Sequence, residues 1–139
     1  MPTIRDKTVV DIIPDIHNND VKKVKDYNLV KFNQVILGIL NQLQMERGTM
    51  TDFPGVGCLN DLLSLFFAED IGHIQYNIRE NLQYYQGYNI NLEFFREDVN
   101  SKEINISISI DDVPNFRFSA DLIKNKQSVK IVNPEILGV

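Results

Sequence analysis

Hydrolysis of a glycosidic bond needs only two carboxylates flanking it, and Glu46, Glu69, Asp70 and Glu80 are the candidates in this chain. Nothing around them in sequence would raise one pKa while lowering another, and the chain has no tryptophan on which a sugar could stack. The imidazoles are His17 and His73. Neither stands at a two-ligand metal spacing, and Cys58 has no second cysteine to join it. His73 falls opposite the apolar stripe Ile71, Ile74 and Ile78, so a solvent-facing side chain is expected. Cys58 follows a glycine pair near a helix start, where a thiolate would be stabilised. A small buried side chain in a packing seam is the commoner fate of a free cysteine, and that is the expectation here. Gly55 and Gly57 lack the preceding strand that a phosphate-cradling loop requires. The expectation is therefore no catalytic residue, no metal ligand, no cofactor and no enzymatic activity.

The most informative stretch runs from Met45 to Leu63. Met45-Glu46-Arg47-Gly48 ends an apolar helical pattern, and Phe53-Pro54-Gly55-Val56-Gly57-Cys58-Leu59 leads into another. Pro54 disfavours helix at Phe53, while Gly55 and Gly57 tolerate angles that a Cβ would forbid. Pro54, Gly55, Gly57, Cys58 and Leu59 read as a structural hinge that folds the second helix back onto the first. Gly57 is expected at positive φ or in tight contact with the first helix.

Upstream, Leu29, Phe32, Ile36, Ile39, Leu40 and Leu43 form one stripe of a helix from Asn28 to about Glu46, with Asn28 as N-cap. Gly38 inside it points to a close crossing. Leu59, Leu62, Leu63, Phe66 and Phe67 give a second helix over 58–67, and Ile71, Ile74, Ile78, Leu82 and Tyr85 a third over 70–85. The period then changes to two. Tyr88, Ile90, Leu92 and Phe94 alternate with polar residues, as do Ile104, Ile106, Ile108 and Ile110. A turn at 111–115, a third strand through Phe116, Phe118 and Ala120, and a fourth short one over 126–132 before Pro134 complete the pattern. The fold class is α+β: an N-terminal arm, three helices, then an antiparallel β meander of three to four strands. Residues 1–25 read as the arm, broken by Pro14 and Asn18-Asn19-Asp20, and 26–139 as a single domain. The arm could dock on a partner or fold over its own core.

The 139 residues suffice for a core without disulfides. A net charge of −5, with Lys22, Lys23 and Lys25 far in sequence from Lys124, Lys126 and Lys130, argues against nucleic acid as partner. There is no 18-residue apolar run and no signal-peptide pattern at Met1-Pro2-Thr3-Ile4, so no membrane partner is expected. One cysteine suits synthesis in a reducing cytoplasm. The sheet edges could accept a strand from another chain or be covered by the chain's own arm or tail.

A long helix ending near Glu46-Arg47-Gly48, followed by Pro54, Gly57, Cys58 and Leu59, resembles the small wedge protein of contractile-tail baseplates. That family is known from T-even phages, belongs to a lysozyme-like baseplate superfamily, and has a relative in type VI secretion; the likeness covers about Val21 to Leu92. It implies a virion protein of the tail baseplate, made in the host cytoplasm, that docks on other wedge subunits and starts assembly of the tail sheath by strand addition. Tube or hub proteins would be further partners. The sheath-facing strands implied are those of Ile104, Ile106, Ile108, Ile110, Phe116 and Phe118. The family's Glu-Pro-Arg corner, which contacts the wedge core, is replaced here by Tyr85, Gln86, Gly87 and Tyr88. Docking there would then rest on Gln86 hydrogen bonds and on the rings of Tyr84, Tyr85 and Tyr88. The alternatives are a cytosolic regulatory adaptor of the same fold, or a cell-wall glycoside hydrolase.

Overall fold

In the computed structural model, residues 27–138 are described, and the expected arm over 1–25 lies outside them. Helices come first and strands after: α1 (Tyr27–Leu43), α2 (Leu59–Ser64), α3 (Gly72–Gln86), β1 (Ile90–Phe95), β2 (Glu103–Ile110), β3 (Val113–Asn125) and β4 (Ser128–Gly138). The strands form one antiparallel sheet in the order β1-β2-β3-β4. The α+β architecture expected from the periodicities is the one observed.

The helices cover one face of this sheet. Phe32, Ile36, Ile39, Leu40 and Leu43 of α1, Leu62 of α2, and Ile78 and Leu82 of α3 share a single core with Ile104, Ile106, Ile108, Phe118 and Leu122 of the sheet. Alternation explains it. In β2 each isoleucine is at most 1% exposed, while Asn105, Ser107 and Ser109 between them stay half-exposed on the wet face. Each fully buried Ile or Phe contributes about 1.5–3 kcal/mol by leaving water.

Element ends depart from the expectations for local reasons. α1 stops at Leu43, three residues before Glu46, because the hinge backbone intervenes: Cys58 N–H donates to the Gln42 carbonyl at 3.1 Å, and Leu59 N–H to that of Met45 at 3.2 Å. Asn28 lies inside the first turn of α1 rather than before it. α2 ends at Ser64, after which Phe66 and Phe67 donate to the carbonyls three residues back. That tighter winding rotates Phe67 off the stripe. Phe67 is 54% exposed, not buried, with Lys124 Nζ 5.5 Å above its ring. Tyr85, expected on the inner face of α3, is only half-buried.

The expected turn over 111–115 narrows to Asp111-Asp112, since Val113 already pairs with Ile110. A register shift beside Ile110 accommodates Pro114 inside β3. β4 runs to Gly138 instead of ending before Pro134. Asn133 at φ 52° and a second register shift opposite it carry this outer strand past the proline.

The two sheet edges are β1 and β4, and they differ. Ile90 N–H donates to Gln83 Oε1 at 3.0 Å and Phe94 N–H to Gln75 Oε1 at 3.2 Å. These donors therefore point away from β2 and are taken by side chains of α3. This corrects the expectation for Ile104, Ile106, Ile108, Ile110, Phe116 and Phe118. All six lie on β2 and β3, which are paired on both sides and offer no backbone edge. Ser107→Pro should accordingly break an interior ladder, cost about 1–3 kcal/mol for the buried carbonyl left unpaired, and lower the melting temperature seen by circular dichroism; a variant that melts like the parent would displace β2 from the interior.

Candidate docking surface

The hinge is held by one asparagine. Asn81 of α3 accepts at Oδ1 from Gln42 Nε2 (2.8 Å), from Gly57 N–H (3.2 Å) and from the Cys58 thiol (3.4 Å). Its Nδ2 donates to the Gly55 carbonyl at 3.0 Å, and its own carbonyl accepts from Gln42 Nε2 at 2.9 Å. Gln42, on the buried face of α1 and 2% exposed, completes its bonding by accepting from Gln86 Nε2 at 2.7 Å. Three side-chain amides thus join α1, the hinge and the end of α3.

Outside this knot, Arg47 Nε donates to the Gly57 carbonyl at 3.1 Å and pairs through its guanidinium with Asp61 at 2.8 Å. Gly57 sits at φ +131°, and a Cβ there would lie 2.5 Å from the Met45 carbonyl oxygen. The expectation of positive φ or tight contact holds on both counts, with the contact made to the chain just past α1. Leu59 opens α2 and is buried, whereas Pro54 and Gly55 are exposed at the tip of the hinge.

Cys58 is buried and unpaired. Burial first, and the Asp61 carboxylate second, push its thiol up from 9.0 to about 12, against a smaller lowering by Arg47. Burial thus favours the protonated thiol over a reactive thiolate at the helix start.

The corner residues divide. Gly87 takes the left-handed conformation, φ 78°, and closes α3 through its N–H to the Gln83 carbonyl at 2.9 Å. Gln86 turns inward, its Nε2 shared between Gln42 and, at 3.4 Å, the Gly38 carbonyl. Its side chain fills the space a Cβ at Gly38 would need, which accounts for glycine inside α1. Tyr88 packs half-buried against the core. Gln86 is thus engaged within the chain and Tyr88 is half-buried, so neither is free to give a partner its whole side chain. The rings that remain are Tyr84, 80% exposed, and Tyr85, in edge-to-face contact at 4.8 Å; Phe53 of the hinge adds a third, 6.4 Å from Tyr85.

Beside these rings lies a cleft of about 260 Å³, lined by Gly38, Gln42, Met45, Met50, Phe53 and Tyr85 among others. Hinge and corner, distant in sequence, are one surface. Neither was expected to involve Gln42, Asn81, Arg47 or Asp61. A glutamine on the apolar side of a helix was the signal available for Gln42; for Asn81 there was none.

The carboxylates do not converge. Glu80 donates nothing to a shared site with the others: it accepts from Tyr76 and Gln83, and the cleft it lines contains none of Glu46, Glu69 or Asp70. Asp70 accepts the Gly72 N–H at 3.0 Å. His73 is exposed, 3.3 Å from the Asn77 amide; His17 lies outside the described residues. Among the described residues no three His, Cys, Asp or Glu side chains gather as a metal site would require, and no helix is long and apolar enough to cross a membrane.

The sheet's other edge is β4. Gln44 Nε2 donates to the Val129 carbonyl at 2.9 Å, so that carbonyl faces outward. Ladder alternation carried across from β1 places the Phe118 N–H toward β2, and hence that of its partner Ile136 away from β3. Past the Asn133-Pro134 kink, the outward donor of Ile136 has no side-chain bond among the described residues.

Compared with known protein families, curated proteins and solved structures, the chain matches none.

Gly57→Val should destabilise the domain by about 1–3 kcal/mol through backbone strain, read as a lowered melting temperature. The raised Cys58 pKa has a defined sign. Its stabilising contribution is complete below the unfolded value of 9.0 and is lost as pH climbs toward about 12. The difference in melting temperature between parent and Cys58→Ala should thus be constant below pH 9 and shrink above it, and iodoacetamide should leave the native thiol unmodified at pH 8.

Proposed function

We propose that this chain is a structural, non-catalytic component of a contractile-tail baseplate wedge, located in the virion tail and made in the host cytoplasm. It docks on other wedge subunits through the hinge and Tyr84–Tyr85 surface, and it initiates the sheath by adding a strand to its sheet; tube or hub proteins are further neighbours. The resemblance through Pro54, Gly57, Cys58 and Leu59 supports the family. The observation that carries the mechanism is the inequality of the edges: α3 glutamines occupy the outward donors of Ile90 and Phe94 on β1, while the Ile136 end of β4 keeps its donor outward with no side-chain bond among the described residues.

An added strand would gain main-chain hydrogen bonds along β4 without demanding a side-chain code. A cytosolic adaptor of the same fold would need both edges covered, and among the described residues β1 is the edge whose donors side chains take up. The test is co-expression with the cognate sheath protein. Ile136→Pro removes an outward donor but no bond to β3, so the variant should fold, as circular dichroism would show, and fail to nucleate sheath. Sheath formed by the folded variant at the parent's rate would exclude β4 as the accepting edge.

A further inference from the structure

Two helix ends meet at the apolar cleft. Its walls include Gly38, Gln42 and Met45 from the last turns of α1 and just beyond, and Tyr85 and Gln86 from the last turn of α3. Helix C-termini carry partial negative charge. In the adjoining cleft Glu80 stands with Tyr84 and Tyr85 and is not ion-paired among the described residues, since Arg47, which lines the same cleft, is engaged by Asp61. The rim itself is apolar and accessible: Met50 is 41%, Phe53 54% and Tyr84 80% exposed.

From this charge and shape we infer that the cleft binds a basic amphipathic segment of a partner protein. One bulky apolar side chain enters between Met45, Met50 and Phe53, and a lysine or arginine within one helical turn of it lies over the Tyr84 ring toward Glu80. Each part has a physical reason. Methionine side chains adapt to an inserted anchor. The exposed face of Tyr84 attracts a cation, and Glu80 beside it, near the α3 C-terminus, favours that cation over an anion. A second copy of this chain fits less well, because its net charge is −5 and its docking face would repeat the same negative surroundings.

The inference names the partner's chemistry at the docking surface proposed above and rests on that surface being used in assembly. Its test is therefore run without sheath or wedge proteins. A random peptide library displayed on phage is panned against the purified full chain. The enriched sequences should pair a Leu, Met or aromatic anchor with Lys or Arg within four residues. A synthetic peptide of that consensus should bind Phe53→Ser about tenfold more weakly, as expected for loss of a buried aromatic contact. Glu80→Gln should weaken it about threefold, with a shallower salt dependence. Both substitutions are at exposed positions, and circular dichroism checks that the variants fold.

A consensus without basic residues, or binding indifferent to Phe53→Ser, would overturn the inference. So would a dimer of the chain alone, seen by sedimentation, that Phe53→Ser dissolves. Sheath nucleation with no peptide enriched would retire the cleft and leave the assembly reading in place. Enrichment as stated, with no sheath nucleated by the parent chain, would do the reverse.

Discussion

The bonds around the Asn81 side chain are the constraint on which the helical half depends. The hinge packs Val56, Cys58 and Leu59 inward, and it also brings its backbone up against α1 and α3. Backbone N–H and carbonyl groups buried without partners would cost about 1–3 kcal/mol each. Asn81 removes that cost at the buried Gly57, accepting from its N–H, and it also anchors the exposed Gly55 by donating to its carbonyl. The same oxygen accepts from Gln42, which ties α1 to the knot. An apolar residue at 81 would leave the hinge groups unpaired; a charged one would be desolvated beside them. A neutral amide supplies donor and acceptor together, which the geometry requires.

The sheet is organised by a related use of glutamine. Gln75 and Gln83 stand on α3 facing β1, eight residues apart, and their carbonyl oxygens meet N–H groups four residues apart on the strand. A helix rises about 1.5 Å per residue and a strand about 3.3 Å, so the spacings match in length. The outcome is a strand edge closed by the same helix that carries Asn81. Gln44 makes only one such bond to β4, at Val129. Among the described residues the meander thus has a more protected edge next to α3 and a more open edge at its far side.

Periodicity made the architecture legible. Ile104 to Ile110 gave both the strand and its buried face, because a period of two has one interpretation when the intervening residues are Asn and Ser. The hinge was legible for a similar reason: Pro54 and the two glycines leave few backbone choices. What could not be read was strand order. The most regular strand, β2, is regular because it is interior, and its alternation says nothing of which strand lies beside it. Phe67 was misplaced because a 3.6-residue stripe was extended through a turn that winds more tightly. The Asn81 knot was invisible, since its amides come from segments whose proximity only the tertiary fold creates.

The inward turn of Gln86 decides what kind of docking surface remains. Its amide completes Gln42 and fills the notch at Gly38, so freeing it for an external partner would leave a buried glutamine oxygen unpaired and open a gap in α1. The corner therefore cannot present a polar hook at that position without weakening the knot beneath it. With Gln86 engaged by Gln42 and Tyr88 packed half-buried against the core, the most exposed groups at the corner are Tyr84 and the hinge residues Met50 and Phe53, with Tyr85 half-buried between them. Recognition there must draw on rings, thioether and the field of two helix ends. The hinge that shapes the fold is in this way also the wall of the surface that a partner would meet.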